Sequence, residues 1–156
     1  MASGQEHDKS TRYLAVPFGL SVGLCLDIHS GLISGAAFLV GGLWLSPDLD
    51  TKSIALRRWG IFQSLWWPYR KLISHRSILS HSPFVGTGVR ISYLLTVSCL
   101  ILFLLKALGF AGDMKTTYLL GELIKQNPKH IFAMLLGLEA STWLHLIKDG
   151  DPLPKK

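Results

Sequence analysis

Between Ile91 and Phe110 the chain runs for twenty residues with a single charge, Lys106. That matches the ~20 apolar residues an α-helix needs to cross a bilayer, and Lys106 lies near enough to the end to carry its ammonium to the interface. Two shorter apolar stretches precede it. Leu14–Leu26 contains Pro17, Gly19 and Gly23, and Gly31–Leu45 is rich in small residues (Gly35, Ala36, Ala37, Gly41, Gly42) that let helices approach closely. Asp27-Ile28-His29-Ser30-Gly31 between them is a turn signal. Each stretch is short for a bilayer span, so a membrane-embedded hairpin, a tilted pair and a buried soluble hairpin all fit. Gly112–Asn127 reads as a polar connection with a short amphipathic piece. Pro128 then opens a last helix, Lys129–Ile147, interrupted by Glu139 and His145 and stopped by Asp149-Gly150-Asp151-Pro152.

The expectation is an all-α fold in one domain, residues 1–156. It is a membrane-associated antiparallel bundle of about four main helices, over 14–26, 31–46, 84–110 and 129–147. Composition agrees: charged residues are 17%, against about 25% in soluble domains, and mean hydropathy is +0.34. No basic stretch followed by an apolar run and a cleavage site opens the chain, so no removable signal peptide is expected. Residues 1–12 are polar and read as a tail apart from His7-Asp8. Cys25 and Cys99 lie in apolar stretches without partner spacing, which predicts buried thiols in a reducing compartment.

From Thr51 to Gly112 there is no Asp or Glu. The segment 52–73 instead interleaves Lys52, Arg57, Arg58, Arg70 and Lys71 with Trp59, Phe62, Trp66, Trp67 and Tyr69. Basic side chains among Trp and Tyr suit an interface with anionic lipid headgroups. A solvated basic face and a nucleic-acid surface are the alternatives. The apolar neighbours favour the membrane, and no nucleic-acid partner is expected because no reader motif is present.

On the four-helix topology, His7 precedes the first helix, Asp48 and Asp50 follow the second, His75 and His81 precede the third, and His145 and Asp149 end the fourth. All seven gather at one end, with His29, Asp113 and His130 at the other. Carboxylates and neutral imidazoles suit zinc, manganese or iron. Singly, each residue has a plainer role. Asp48 and Asp50 after Ser46-Pro47 are good turn caps, and His145 with Asp149, four apart on one helix face, is a common core pair. His75 and His81 can share an ion only across a bend, which Pro83 and Gly86 permit. Glu139, inside an apolar helix, needs a partner: an ion, a ligand-bearing His, or Arg76 or Arg90. It lies about 120° from alignment with His145, six residues on. Ser77, Ser80 and Ser82 lack a Gly-x-Ser-x-Gly elbow. The basic loop 52–76, Lys9 and Arg12 share the end with the candidate ligands, so the positive-inside tendency puts that end in the cytoplasm of a plasma or inner membrane.

Ser3-Gly4 with His7-Asp8, the run Gly41–Asp50, Arg58-Trp59-Gly60, Trp67-Pro68-Tyr69-Arg70-Lys71, His75-Arg76-Ser77 with Ser80-His81-Ser82-Pro83, Gly86-Thr87 and Arg90 resemble a family of bacterial and cyanobacterial metal-binding proteins of unassigned function. Gly137-Leu138-Glu139, His145 and Asp149 extend the resemblance over nearly the whole chain. Through Pro-Asp-x-Asp and His-Arg-x-x-x-x-His-Ser the chain is more loosely similar to inner-membrane metal-dependent hydrolases of the YdjM type. Those are thought to be distant relatives of zinc-dependent phospholipase C and single-strand nucleases. The Glu-Ala-Ser-Thr-Trp-Leu-His run from Glu139 is less polar than that pattern, which argues against a full three-metal site.

The resemblance implies a helical metal site with His7, Asp48, Asp50, His75, His81, His145 and Asp149 as ligands to divalent ions, zinc first, with manganese and iron as alternatives. More donors are present than one structural zinc needs, which points to a multi-ion or catalytic site. Arg76 and Glu139 are the candidate catalytic residues, Arg76 against a phosphate's developing charge. Arg57 and Arg58 are candidates to hold an anionic headgroup. The expected function is a membrane-bound metal-dependent hydrolase of a phosphoester, against a non-catalytic metal-binding scaffold or sensor.

Overall fold

The computed structural model describes residues 2–110 and 115–150. Among them every regular element is helical: α1 (Gly4–Cys25), α2 (Ile28–Leu43), α3 (Ile54–Arg57), α4 (Trp67–Leu72), α5 (Ile78–His81), α6 (Val85–Ala107), α7 (Lys115–Gln126) and α8 (Pro128–Asp149). 3-10 helices span Pro47–Asp50 and Gly60–Trp66. Asp113 and the expected stop at Asp151-Pro152 lie outside the described residues. Gly150, at φ +69°, closes α8 in the left-handed conformation glycine favours.

The expected tail is helix. Ser3 and Glu6 form a reciprocal cap: the Ser3 side chain accepts the Glu6 N–H at 3.3 Å and the Glu6 carboxylate accepts the Ser3 N–H at 2.6 Å. This starts α1 ten residues before Leu14 and gives His7 a buried place on its first turns.

α2 packs against both α1 and α8. The contact with α1 is antiparallel, because Gly19 and Gly23 face Gly31 at one end while Thr11 faces Gly42 at the other. A Cβ on Gly31 would sit 2.7 Å from the Gly19 carbonyl oxygen, so only glycine allows this approach. On the opposite side Gly137 of α8 lies on the α2 backbone at Ser34 and Phe38.

α6 is attached differently. Thr87 meets Thr142 of α8 at 3.0 Å. Arg90, 1% exposed, donates to the Ser80 carbonyl at 3.0 Å and to the Thr142 hydroxyl at 2.8 Å. Beyond these first turns its large side chains, among them Leu100, Phe103 and Leu104, are exposed. Three of the four expected helices therefore pack together, and the fourth joins them at its base. Cys25 and Cys99 are exposed, not buried as expected; apolar sequence neighbours do not make them core, because their helix faces meet nothing in the described chain.

The aromatic segment divides. Trp66 and Tyr69 are buried with Leu49, Ala55 and Leu56 in a small core under the Pro47–Asp50 turn, their rings edge to face at 5.3 Å. Ile61, Phe62, Trp67 and Leu72 point outward. Part of the expected interfacial stretch thus serves to hold the loop that carries Asp48 and Asp50.

Candidate metal centre

The seven expected residues come from α1, the Pro47–Asp50 turn, the 75–81 segment and α8, and they converge in three overlapping groups: His7–His145–Asp149, Asp48–His81–His145 and Asp50–His75–His81. Within each group the donor atoms lie within 4.8 Å of one another. The bend required between His75 and His81 is made at Arg76, whose φ of +59° is rare for a non-glycine residue. Asp50 holds that bend through the Arg76 N–H at 3.3 Å and His75 Nδ1 at 3.0 Å. His7 and Asp149, from opposite ends of the chain, meet at 3.1 Å.

The spacing of the innermost atoms is not that of a hydrogen-bonded core. Asp48 Oδ1 lies 3.6 Å from His81 Nε2 and 3.6 Å from His145 Nε2, and Asp149 Oδ2 lies 3.7 Å from His145 Nε2. These are too long for hydrogen bonds. Two donors about 2.1 Å from one tetrahedral ion lie about 3.4 Å apart. Both of those imidazole nitrogens, and His7 Nδ1, are buried with no hydrogen-bond partner among the described residues, a state that normally costs about 1–3 kcal/mol per group. A divalent ion beside Asp48 would supply the missing partner of the His81 and His145 nitrogens, and the nitrogen and oxygen donors suit zinc, manganese or iron.

A family profile described as uncharacterized metal-binding protein (DUF2227) matches residues 2–153. This chain belongs to that family. An uncharacterized protein of Aquifex aeolicus (strain VF5) is 33% identical over 124 residues, 74% of this chain and 86% of that protein. No solved structure matches significantly. The family description speaks to metal binding, not to a reaction.

In this DUF2227 protein the other expected residues are placed as follows. Arg76 reaches Asp149 Oδ2 at 3.4 Å with its guanidinium partly exposed. Glu139 belongs to none of the three groups: its carboxylate accepts the Phe84 N–H at 2.9 Å, at the start of α6. Arg90, one of its expected partners, is instead bonded to Ser80, Thr87 and Thr142. Arg58 is engaged with the Asp8 carboxylate and the Leu43 carbonyl at the end of α2. Arg57 is exposed. Two supporting hydroxyls are not evident as such in the sequence. Ser80 contacts His81 Nδ1 at 3.0 Å and Ser46 contacts His145 Nδ1 at 3.5 Å. Their adjacency to Pro-Asp-x-Asp and to His81 is the only signal the sequence offers. At the far end His29 and His130 lie 6.4 Å apart, beside the Asp27–Lys129 ion pair.

Burial disfavours a charge on His81, but the Asp48 and Asp50 carboxylates outweigh it and hold the imidazole up at about 9. Burial and the neighbouring His145 pull His7 below its usual value, against Asp149. For metal-free protein the sign follows. Stabilisation by charged His81 is complete below the ordinary value of 6.5 and is lost as pH rises towards 9. Thermal melts in chelator across that interval should show Tm falling. Metal affinity should rise over the same interval, because the ion and the proton compete for the ring. A flat Tm would contradict the buried carboxylate–imidazole contacts.

Proposed function

We propose that this protein is a membrane-embedded, metal-dependent hydrolase acting on a phosphoester, with its metal end at the cytoplasmic surface. The observation that carries the reading is the convergence of His7, Asp48, His81, His145 and Asp149 with unpartnered imidazole nitrogens facing carboxylate oxygens. Access supports a catalytic role: the His75 side chain is 45% exposed and Arg76 lies beside it at the rim. A divalent ion in such a site polarises a phosphoryl oxygen and lowers the pKa of a bound water to about 7. On this reading Arg76, whose guanidinium contacts Asp149 at 3.4 Å, holds an anionic ester oxygen. Asp50 orients His75 at the rim.

The membrane reading rests on composition and on what faces outward. Ile28–Asp50, Val85–Ala107 and Pro128–Asp149 are each long and apolar enough to cross a bilayer, and Leu24, Phe103 and Ile147 are among many large apolar side chains turned outward. The basic residues of the 52–76 loop sit at the metal end, the side the positive-inside tendency assigns to the cytoplasm. Exposed Phe62 and Trp67, with Lys71 over the Trp67 ring at 5.9 Å, suit anionic headgroups.

The test is release of product from phosphodiester and phospholipid panels by zinc- or manganese-loaded protein in detergent. Turnover that is lost in chelator and in Arg76→Ala is the expected result; no cleavage by fully loaded protein overturns it. Burial of His7, His81 and His145 favours a second reading, a metal store or sensor without turnover. On that reading chelation lowers Tm sharply and no substrate is cleaved.

A further inference from the structure

The two carboxylates of the Pro-Asp-Leu-Asp turn are in opposite states. Asp50 accepts two hydrogen bonds and faces a third nitrogen at ion-pair distance. Its side chain is 0% exposed, Oδ1 lies 3.0 Å from His75 Nδ1, and Oδ2 lies 3.3 Å from the Arg76 N–H and 3.4 Å from His81 Nδ1. No hydrogen bond reaches the Asp48 carboxylate among the described residues, and its Oδ1 faces two orphaned Nε2 atoms at 3.6 Å each. The two rings facing Asp48 have their remaining nitrogens occupied. His81 Nδ1 contacts Asp50 and the Ser80 hydroxyl, and His145 Nδ1 contacts the Ser46 hydroxyl at 3.5 Å.

A neutral imidazole has one N–H and one lone pair. If His81 Nδ1–H donates to Asp50, its lone pair is on Nε2, towards Asp48. The same ring cannot then offer a lone pair to an ion among Asp50, His75 and His81. Likewise one nitrogen, His145 Nε2, serves both groups that contain it, so those groups describe a single ion position rather than two.

We infer that the cluster holds one ion, ligated by Asp48, His81 Nε2 and His145 Nε2, and that Asp50 is a positioning residue that fixes the His81 tautomer from outside. Three protein ligands leave at least one coordination position for water or substrate, the arrangement of catalytic rather than structural zinc. Asp149, already bonded to His7 and Arg76, stands at the edge of that position. A carboxylate behind a ligating histidine is a recurrent outer support, and its loss typically weakens metal binding about 10–100-fold. The inference rests on reading the cluster as a metal centre, and it departs from the multi-ion site that seven donors suggest by number alone.

The experiment is zinc titration of metal-free protein in detergent, with elemental analysis, on the natural sequence and on Asp50→Asn. It is paired with 15N NMR of the imidazoles in the zinc-loaded natural protein. Expected are one zinc per chain in both proteins, about 10–100-fold weaker in Asp50→Asn, and a His81 ring coordinated through Nε2 with its proton on Nδ1. Two zinc ions per chain, or coordination through His81 Nδ1, overturn the assignment while leaving the metal centre standing. No zinc bound at any concentration overturns both. The stoichiometry and the tautomer are read on the natural protein, so the inference stays decidable even if Asp50→Asn does not fold.

Discussion

Asp48→Ala is expected to abolish stoichiometric metal binding, a loss well beyond the about 10–100-fold expected for an outer-shell carboxylate. Asp48 Oδ1 is the atom on which His81 and His145 converge, at 3.6 Å from each ring nitrogen. Without it the donors lose their central carboxylate, and His81 Nε2 and His145 Nε2, already without hydrogen-bond partners among the described residues, lose the oxygen they face. Elemental analysis after equilibration with zinc is the direct measurement, with chelated and zinc-loaded melts beside it. The natural protein should gain Tm on loading, because an ion that binds only the folded state stabilises it by mass action; the variant should not. Zinc bound equally by Asp48→Ala would mean that Asp48 is not a ligand but a turn cap; zinc bound by neither protein would leave all of these residues in the plainer role each has singly.

The second large effect is predicted far from the centre. Gly137→Ala should destabilise the protein by about 3 kcal/mol, the upper end of the usual range for overpacking. A Cβ there would lie 2.9 Å from Ala37 Cβ and 3.0 Å from the Phe38 nitrogen, and closer still to the Ser34 carbonyl oxygen. These are largely backbone atoms of α2, which cannot turn aside as a side-chain tip can. α2 and α8 would have to separate, and α8 carries His145 and Asp149. Gly88→Ala is the control: it lies in α6, where an added Cβ would meet nothing within 4 Å, so alanine should gain about 0.5–1 kcal/mol of helix stability. Thermal melts of the three proteins in one detergent test both. A neutral Gly137→Ala would show that α2 and α8 pack less closely than these distances require.

Much of this architecture is legible in the sequence. Ile91–Phe110 reads as helix because a run that long and that apolar has no other way to satisfy its backbone in an apolar setting. The sorting of Asp48, Asp50, His75, His81, His145 and Asp149 to one end follows from segment order alone, and the structure places these residues together. His7 also sorts to that end, but its polar surroundings read as a tail unless the Ser3–Glu6 capping box is given its full weight. Cys25 and Cys99 turn out exposed because apolar neighbours along the chain do not reveal which helix face meets a partner. The aromatic segment reads as one surface, and only tertiary packing divides Trp66 and Tyr69 from Phe62 and Trp67.

The sequence by itself determined the helical class, the long apolar helices and the common end of the candidate Asp and His ligands, since these depend on composition and on order along the chain. Only the tertiary structure decided what each donor does. Asp48 and Asp50 are two residues apart and identical in type, yet one meets a set of backbone and imidazole donors while the other faces unpartnered nitrogens. That difference arises from the positive-φ bend at Arg76 and from the close approach of α8 to α2 at Gly137. Both bring together segments distant along the chain, and no local pattern encodes which side of a turn they will reach.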